Sequence, residues 1–107
     1  MDLDHAALTE GVYYILLSLY QPRHGYAIMQ NISALSGSRV NLGPGTLYGA
    51  LNTLLEKRWI ESLPGQSAGR KKEYRITAQG KAAVEAELVR LRELIKNGQH
   101  ITEAESI

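Results

Sequence analysis

The stretch from Gly43 to Ile60, GPGTLYGALNTLLEKRWI, constrains the fold more than any other part of the chain. Pro44 suits a first helical position, because the N–H it lacks would have no partner there. Leu47, Leu51, Leu54 and Leu55 then recur at helical spacing, which predicts a helix from Pro44 to about Arg58 with one apolar stripe. The opposite face carries Thr46, Tyr48, Asn52, Thr53 and Lys57. These are hydroxyls, an amide and a cation, groups that reach phosphates and base edges. Taken alone, the helix fits a nucleic-acid recognition helix and an ordinary solvated surface helix equally well.

A chain of 107 residues, 44% of them apolar, makes one domain with a modest core, and dimerisation would hide more apolar surface. The absence of cysteine removes disulfides, thiolate metal sites and thiol nucleophiles, and fits a reducing cytoplasm. No signal peptide is expected, since residues 2–10 carry three acids and no Lys or Arg. The apolar run from Val12 to Tyr20 is too short to span a bilayer. Net charge is only +1, but its distribution is uneven. Residues 39–75 hold seven cations (Arg39, Lys57, Arg58, Arg70, Lys71, Lys72, Arg75) against three acids, whereas the remainder holds five cations against eight acids. A basic middle between acidic ends suggests a polyanion-binding face; a solvated basic loop is the plainer alternative.

Around that stretch the chain punctuates itself clearly. Thr9 is a good N-cap for a first helix running to about Tyr20, with Val12, Ile15, Leu16 and Leu19 on its core side. Pro22 stops it. A second helix is predicted from Gly25 to Leu35, burying Ile28, Ile32 and Leu35. Residues 39–42 alternate as a short extended piece. After the third helix, Trp59–Leu63 and Arg70–Ile76 read as the strands of a hairpin, joined by a turn-rich loop from Pro64 to Gly69. Thr77 caps a last helix, which Gly98 should end near Asn97, leaving a loose tail. The fold class expected is therefore mainly α with a small β-hairpin. Residues 1–77 form a winged helix–turn–helix, and residues 78–107 form a C-terminal dimerisation helix and tail within the same structural unit. In such a fold the third helix enters the major groove and the second crosses the backbone.

Four segments, LTEGVYYILLSL, HGYAIMQNI, GPGTLYGALNTLLEKRWIES and GRKKEYRITAQGKAAV, together resemble the PadR family of bacterial transcriptional regulators over residues 8–95. The combination is specific, above all GTLY followed by a leucine-rich helix and a basic, tyrosine-bearing wing. The resemblance implies a homodimeric winged-helix DNA binder, usually a repressor, that dimerises through its C-terminal helical region and often loses DNA affinity on binding a small molecule such as a phenolic acid or a drug-like compound. The short C-terminal part is similar to the smaller branch of the family. Two positions depart from the family pattern: Trp59, where a glycine or small residue is usual, and Gly49, where many members carry proline or another residue.

Each candidate residue has an ordinary reading beside its functional one. Tyr48 offers its hydroxyl to a phosphate, or packs on the second helix. Asn52 can pair with adenine N6 and N7, or is simply solvated. Tyr26 reaches the backbone, or is a half-buried core tyrosine. Arg70, Lys71 and Lys72 make a wing tip for flanking phosphates, with Arg70 and Lys72 on one face and Lys71 on the other. Val84, Leu88, Leu91 and Ile95, spaced 4, 3, 4, form a heptad-like dimerisation seam flanked by Glu87, Arg90 and Glu93, or fold back on the first helix. Two recognition helices about 34 Å apart would then read a palindromic double-stranded DNA operator. His5, His24 and His100 lack metal-ligand spacing. The glycines of GPG lack the Lys-Ser/Thr of a phosphate loop, and no nucleophile–base pair stands out. No cofactor, metal, membrane partner or catalysis is expected. Trp59 could stack on a flat ligand, although its place beside Ile60 suits a core. The alternative from another class is a winged-helix protein-interaction module that binds no DNA.

Overall fold

The computed structural model describes residues 7–64 and 72–105. It contains helix α1 (Glu10–Ser18), strand β1 (Arg23–His24), α2 (Gly25–Leu35), α3 (Pro44–Glu56), β2 (Ile60–Leu63), β3 (Glu73–Ile76) and α4 (Ala78–Glu105). The predicted caps form. Thr9 Oγ1 accepts from the Val12 N–H at 3.1 Å, and Thr77 Oγ1 accepts from the Gly80 N–H at 3.1 Å. The leucine stripe of α3 delivers Leu47, Leu51 and Leu54 into a core completed by Ile15, Leu16 and Leu19 of α1, Ile28 and Ile32 of α2, and Ile60, Tyr74 and Ile76 of the sheet. Leu35 does not join it: the last residue of α2 is exposed, because the helix ends there with its side chain past the contact with α3.

The sheet has three antiparallel strands in the order β1–β3–β2, with Ile60 opposite Ile76 and His24 opposite Glu73. The short extended strand expected at residues 39–42 is absent, and the connector before α2 supplies the third strand instead. The reason is local: Ser36 Oγ accepts from the Val40 N–H at 3.0 Å, folding residues 36–40 back on the end of α2 and away from any ladder. Helix α3 stops at a left-handed residue, Arg58 (φ 62°). The Arg58 and Trp59 N–H groups turn back to the Leu55 and Leu54 carbonyls at 3.1 Å each, the two-bond arrangement that closes a helix C-terminus. The position here that glycine would suit is thus Arg58; Trp59 simply follows it as the apolar residue that packs under the helix end.

Helix α4 starts against the hairpin. The Thr77 N–H donates to the Trp59 carbonyl at 2.9 Å and the Thr77 hydroxyl to the Arg58 carbonyl at 2.7 Å. A Cβ on Gly80 would lie 2.1 Å from the Trp59 carbonyl oxygen, so the first turn can pack this closely only without a side chain. The helix then runs past Gly98, where an end was expected, to Glu105, covering about 42 Å at 1.5 Å per residue. From Arg92 onward its described side chains are exposed.

Candidate nucleic-acid interface

Two local sequences, HGY and GTLY, converge at the start of α2. His24 is the N-cap, its Nδ1 accepting from the Ala27 N–H at 3.3 Å. Gly25 is buried beneath the Tyr48 ring: a Cβ there would sit 2.2 Å from Tyr48 Oη. Tyr48 therefore does pack on α2, with its hydroxyl end against Gly25, although the residue as a whole remains 44% exposed. Tyr26, next along, is exposed. Burial first, and the neighbouring Tyr48 second, push the Tyr74 phenol above its ordinary range.

The α3 front divides into two lines. Tyr48, Gly49, Asn52 and Glu56 make one, and Thr46, Ala50, Thr53 and Lys57 the other, with Thr46, Asn52, Thr53 and Lys57 all exposed. Thr53 Oγ1 donates back to the Gly49 carbonyl at 3.3 Å, and Lys57 Nζ lies 4.7 Å from the centre of the Trp59 ring. Glu56 was not among the residues that sequence reasoning selected, yet it is exposed at the end of the Tyr48–Asn52 line, where a carboxylate can accept from cytosine N4. The helical period alone could have found it.

Charge on this face is redistributed relative to the sequence. Arg39 pairs with Glu10, and Arg75 donates to Glu61 at 2.7 Å, so both cations are partly neutralised within the chain. Arg23 is tied to the Ser18 carbonyl through Nε at 2.8 Å. Lys57, Arg58 and Lys72 are exposed and have no carboxylate in ion-pair range among the described residues. Lys72 directly precedes Glu73, which is opposite His24 in the ladder, so the wing's last cation rises beside the start of α2. Arg70 and Lys71 lie outside the described residues. The structure thus gathers Tyr26, Tyr48 and Lys72 at one end of a face whose middle is Asn52 and whose far end is Lys57.

The four seam residues separate. Val84 is 1% exposed in a single chain and belongs to the chain's own core, so it is not a surface for a second copy. Leu88 packs partly against the same core. Leu91 is half-buried beside α1, in a cavity of about 280 Å³ that Tyr13, Tyr14, Glu87 and Arg90 also line. Ile95 is 59% exposed, as are Leu94 and Ile101 to a similar extent. Glu87 and Arg90, expected to flank a dimer seam, pair with each other at 2.6 Å.

Residues 13–86 match the Transcriptional regulator PadR-like family. The chain belongs to that family. This PadR-like chain has the family's DNA-binding winged helix, and regulators of this kind are not enzymes. Two relatives by sequence are uncharacterised: a 37.1 kDa protein of a Streptomyces fradiae transposon, 42% identical over 66 residues, and protein X of Lysinibacillus sphaericus, 38% identical over 76 residues. The match covers 62% of this chain but only 18% of the transposon protein, against 69% of both chains for protein X. Among solved structures, a PadR family transcriptional regulator from Eggerthella lenta aligns with TM-score 0.69 at 21% identity, over 85% of this chain and 76% of its own. RosR of H. salinarum aligns with TM-score 0.66 at 25% identity, over 95% and 98%. No helix among the described residues is long and apolar enough to cross a membrane.

Proposed function

We propose that this PadR-like protein is a transcriptional repressor that binds a palindromic operator as a homodimer, with α3 in the major groove and the basic wing on the flanking backbone. The observation that carries the reading is the exposed polar front of α3, Thr46, Tyr48, Asn52 and Thr53, with Tyr26 and Lys72 beside it at the start of α2. Asn52 reads a base, because its amide can donate and accept together against adenine; Thr46 and Thr53 extend the contact. Tyr26, Tyr48, Lys57 and Lys72, with Arg70 and Lys71 of the wing, hold phosphates and set the register. The exposed part of α4, with Leu94, Ile95 and Ile101, joins two copies, and the half-buried Leu91 borders it. The cavity between α1 and α4, where two tyrosine rings meet Glu87 and Arg90, receives a small-molecule effector that releases the DNA.

The test is a fluorescence titration of labelled duplex from upstream of the protein's own gene, beside a scrambled duplex, at two salt concentrations. Tighter, salt-sensitive binding to the upstream duplex is expected, and Asn52→Ala should reduce discrimination by about 1–3 kcal/mol while leaving the scrambled duplex unaffected. Absence of binding to either duplex at low salt would instead favour a protein-interaction module.

A further inference from the structure

Capping α2 uses only one edge of the His24 ring. Nδ1 accepts from the Ala27 N–H at 3.3 Å, so that nitrogen carries no proton, and the imidazole is the neutral tautomer with its proton on Nε2. The same bond turns the Nδ1 edge toward α2 and the Nε2 edge away from it. Among the described residues nothing accepts from the Nε2–H, and no carboxylate lies in ion-pair range of the ring, not even that of Glu73, its partner across the ladder. No buried side-chain nitrogen among them is left unpaired, so the Nε2 edge of this half-buried residue is open to solvent. Asn, Asp and Ser are the preferred caps, so capping alone gives no reason for an imidazole here. What the imidazole adds is a donor held at a fixed angle beyond the helix start. It lies where exposed Tyr26, exposed Lys72 and the Tyr48 ring seated on Gly25 come together.

We infer that His24 is a DNA contact, its Nε2–H donating to a phosphate oxygen of the backbone that α2 crosses. The inference rests on the proposed DNA-binding reading and adds to it a contact of a different kind. Lys72 acts as a point charge on a flexible stem, with little directional preference. The neutral imidazole makes one directed hydrogen bond whose angle is set by the cap, and so it fixes how α2 lies on the backbone and, through α2, the register of α3.

The test uses the full chain and the two duplexes described above, at about pH 8, where imidazoles are neutral. His24→Ser keeps a cap but is too short to reach the phosphate. It should melt within a few degrees of the parent and bind both duplexes at least about tenfold more weakly, because a hydrogen bond to a charged acceptor is lost and phosphates are common to both. The log–log salt slope should stay the same, since a neutral donor releases no counterion, whereas Lys72→Gln should lower it by about 0.9 per protomer. His24→Asn, which caps through its oxygen and donates through its nitrogen, should recover most of the affinity. When single phosphates of the upstream duplex are replaced by neutral methylphosphonate, one position per half-site should weaken the parent but not the His24→Ser protein. A His24→Ser protein that binds as tightly as the parent or melts far below it overturns the inference. So does a loss confined to the upstream duplex, a His24→Asn protein as weak as His24→Ser, or the lack of any such phosphate position. Each of these leaves the proposed function standing, whereas a parent protein that binds neither duplex sinks both.

Discussion

Two glycines on the longer helices should respond to the same added methyl in opposite directions. Gly49 lies in the interior of α3 on its exposed front, and a Cβ there would meet nothing within 4 Å. Gly49→Ala removes only the conformational cost of a mid-helix glycine and should stabilise the fold by about 0.5–1 kcal/mol, raising the melting temperature by several degrees. Gly80→Ala places its methyl against the Trp59 carbonyl and 2.6 Å from Ile76 Cγ1. It must lever α4 off the hairpin, at a cost of about 1–3 kcal/mol. Thermal melts of the two variants check both signs; a Gly80→Ala protein as stable as the parent would refute the close contact. The softening of α3 by Gly49 is legible in the sequence as a mid-helix glycine, whereas the cost at Gly80 is not, since it too is a single glycine inside a helical pattern. What separates them is a carbonyl brought in from another element. Thr9 and Thr77, by contrast, were readable as caps because a cap bonds to backbone only three residues away.

At the scale of elements, local signals specified helices α1 to α3 and the hairpin. What they missed were pairings that depend on distant partners. Strand β1 is two residues long and exists only because β3, some fifty residues later, presents Glu73 and Tyr74 to it. Its residues therefore read as a connector. The candidate site was legible to the extent that it sits on one helix: the α3 front came from the 3.6-residue period, whereas the seating of Tyr48 on Gly25 and the withdrawal of Val84 into the core came from packing. Helix α4 hides another such pairing. Glu87 is only 5% exposed, accepting from Arg90 at 2.6 and 2.9 Å and from the Leu8 N–H at 3.4 Å, and so ties the approach to α1 onto α4. The Arg90 hydrogen bonds outweigh burial and hold the Glu87 carboxyl below its ordinary value. A lowered carboxyl favours the folded state once the unfolded chain has ionised. Its contribution is therefore present above about pH 4.3 and is lost as pH falls further, through the folded value. Glu87→Gln should thus melt lower than the parent at neutral pH, with the gap closing below about pH 4. A gap that stays constant down to low pH would mean that the ionised form of Glu87 does not hold this junction.

At the scale of the whole molecule, α4 poses a question of length. Its first half is anchored through Val84, Glu87 and Leu88, but the stretch from Arg92 to Glu105 is exposed and carries Gly98 in its middle. A helical segment this short is marginal in water unless something packs on it. Leu94, Ile95 and Ile101 on its surface are the groups a second copy of the chain would cover, and the 64 Å longest dimension of one chain leaves that arm clear of the winged domain. A two-fold pairing of such arms uses the same patch on both copies, as closed dimers do. Ending the chain after Arg92 retains every α4 residue of the core, so the shortened protein should fold with a comparable melting temperature yet sediment as a monomer. Its affinity for a palindromic duplex should drop by about 10²–10⁴, the benefit of linking two half-site contacts, while its affinity for a single half-site stays near that of the full chain. Leu94→Glu with Ile95→Glu in the full chain should reproduce the result by charge repulsion without deletion. If the shortened chain remains dimeric, the joint between copies lies on the winged domain itself, and the distal arm of α4 serves some other partner.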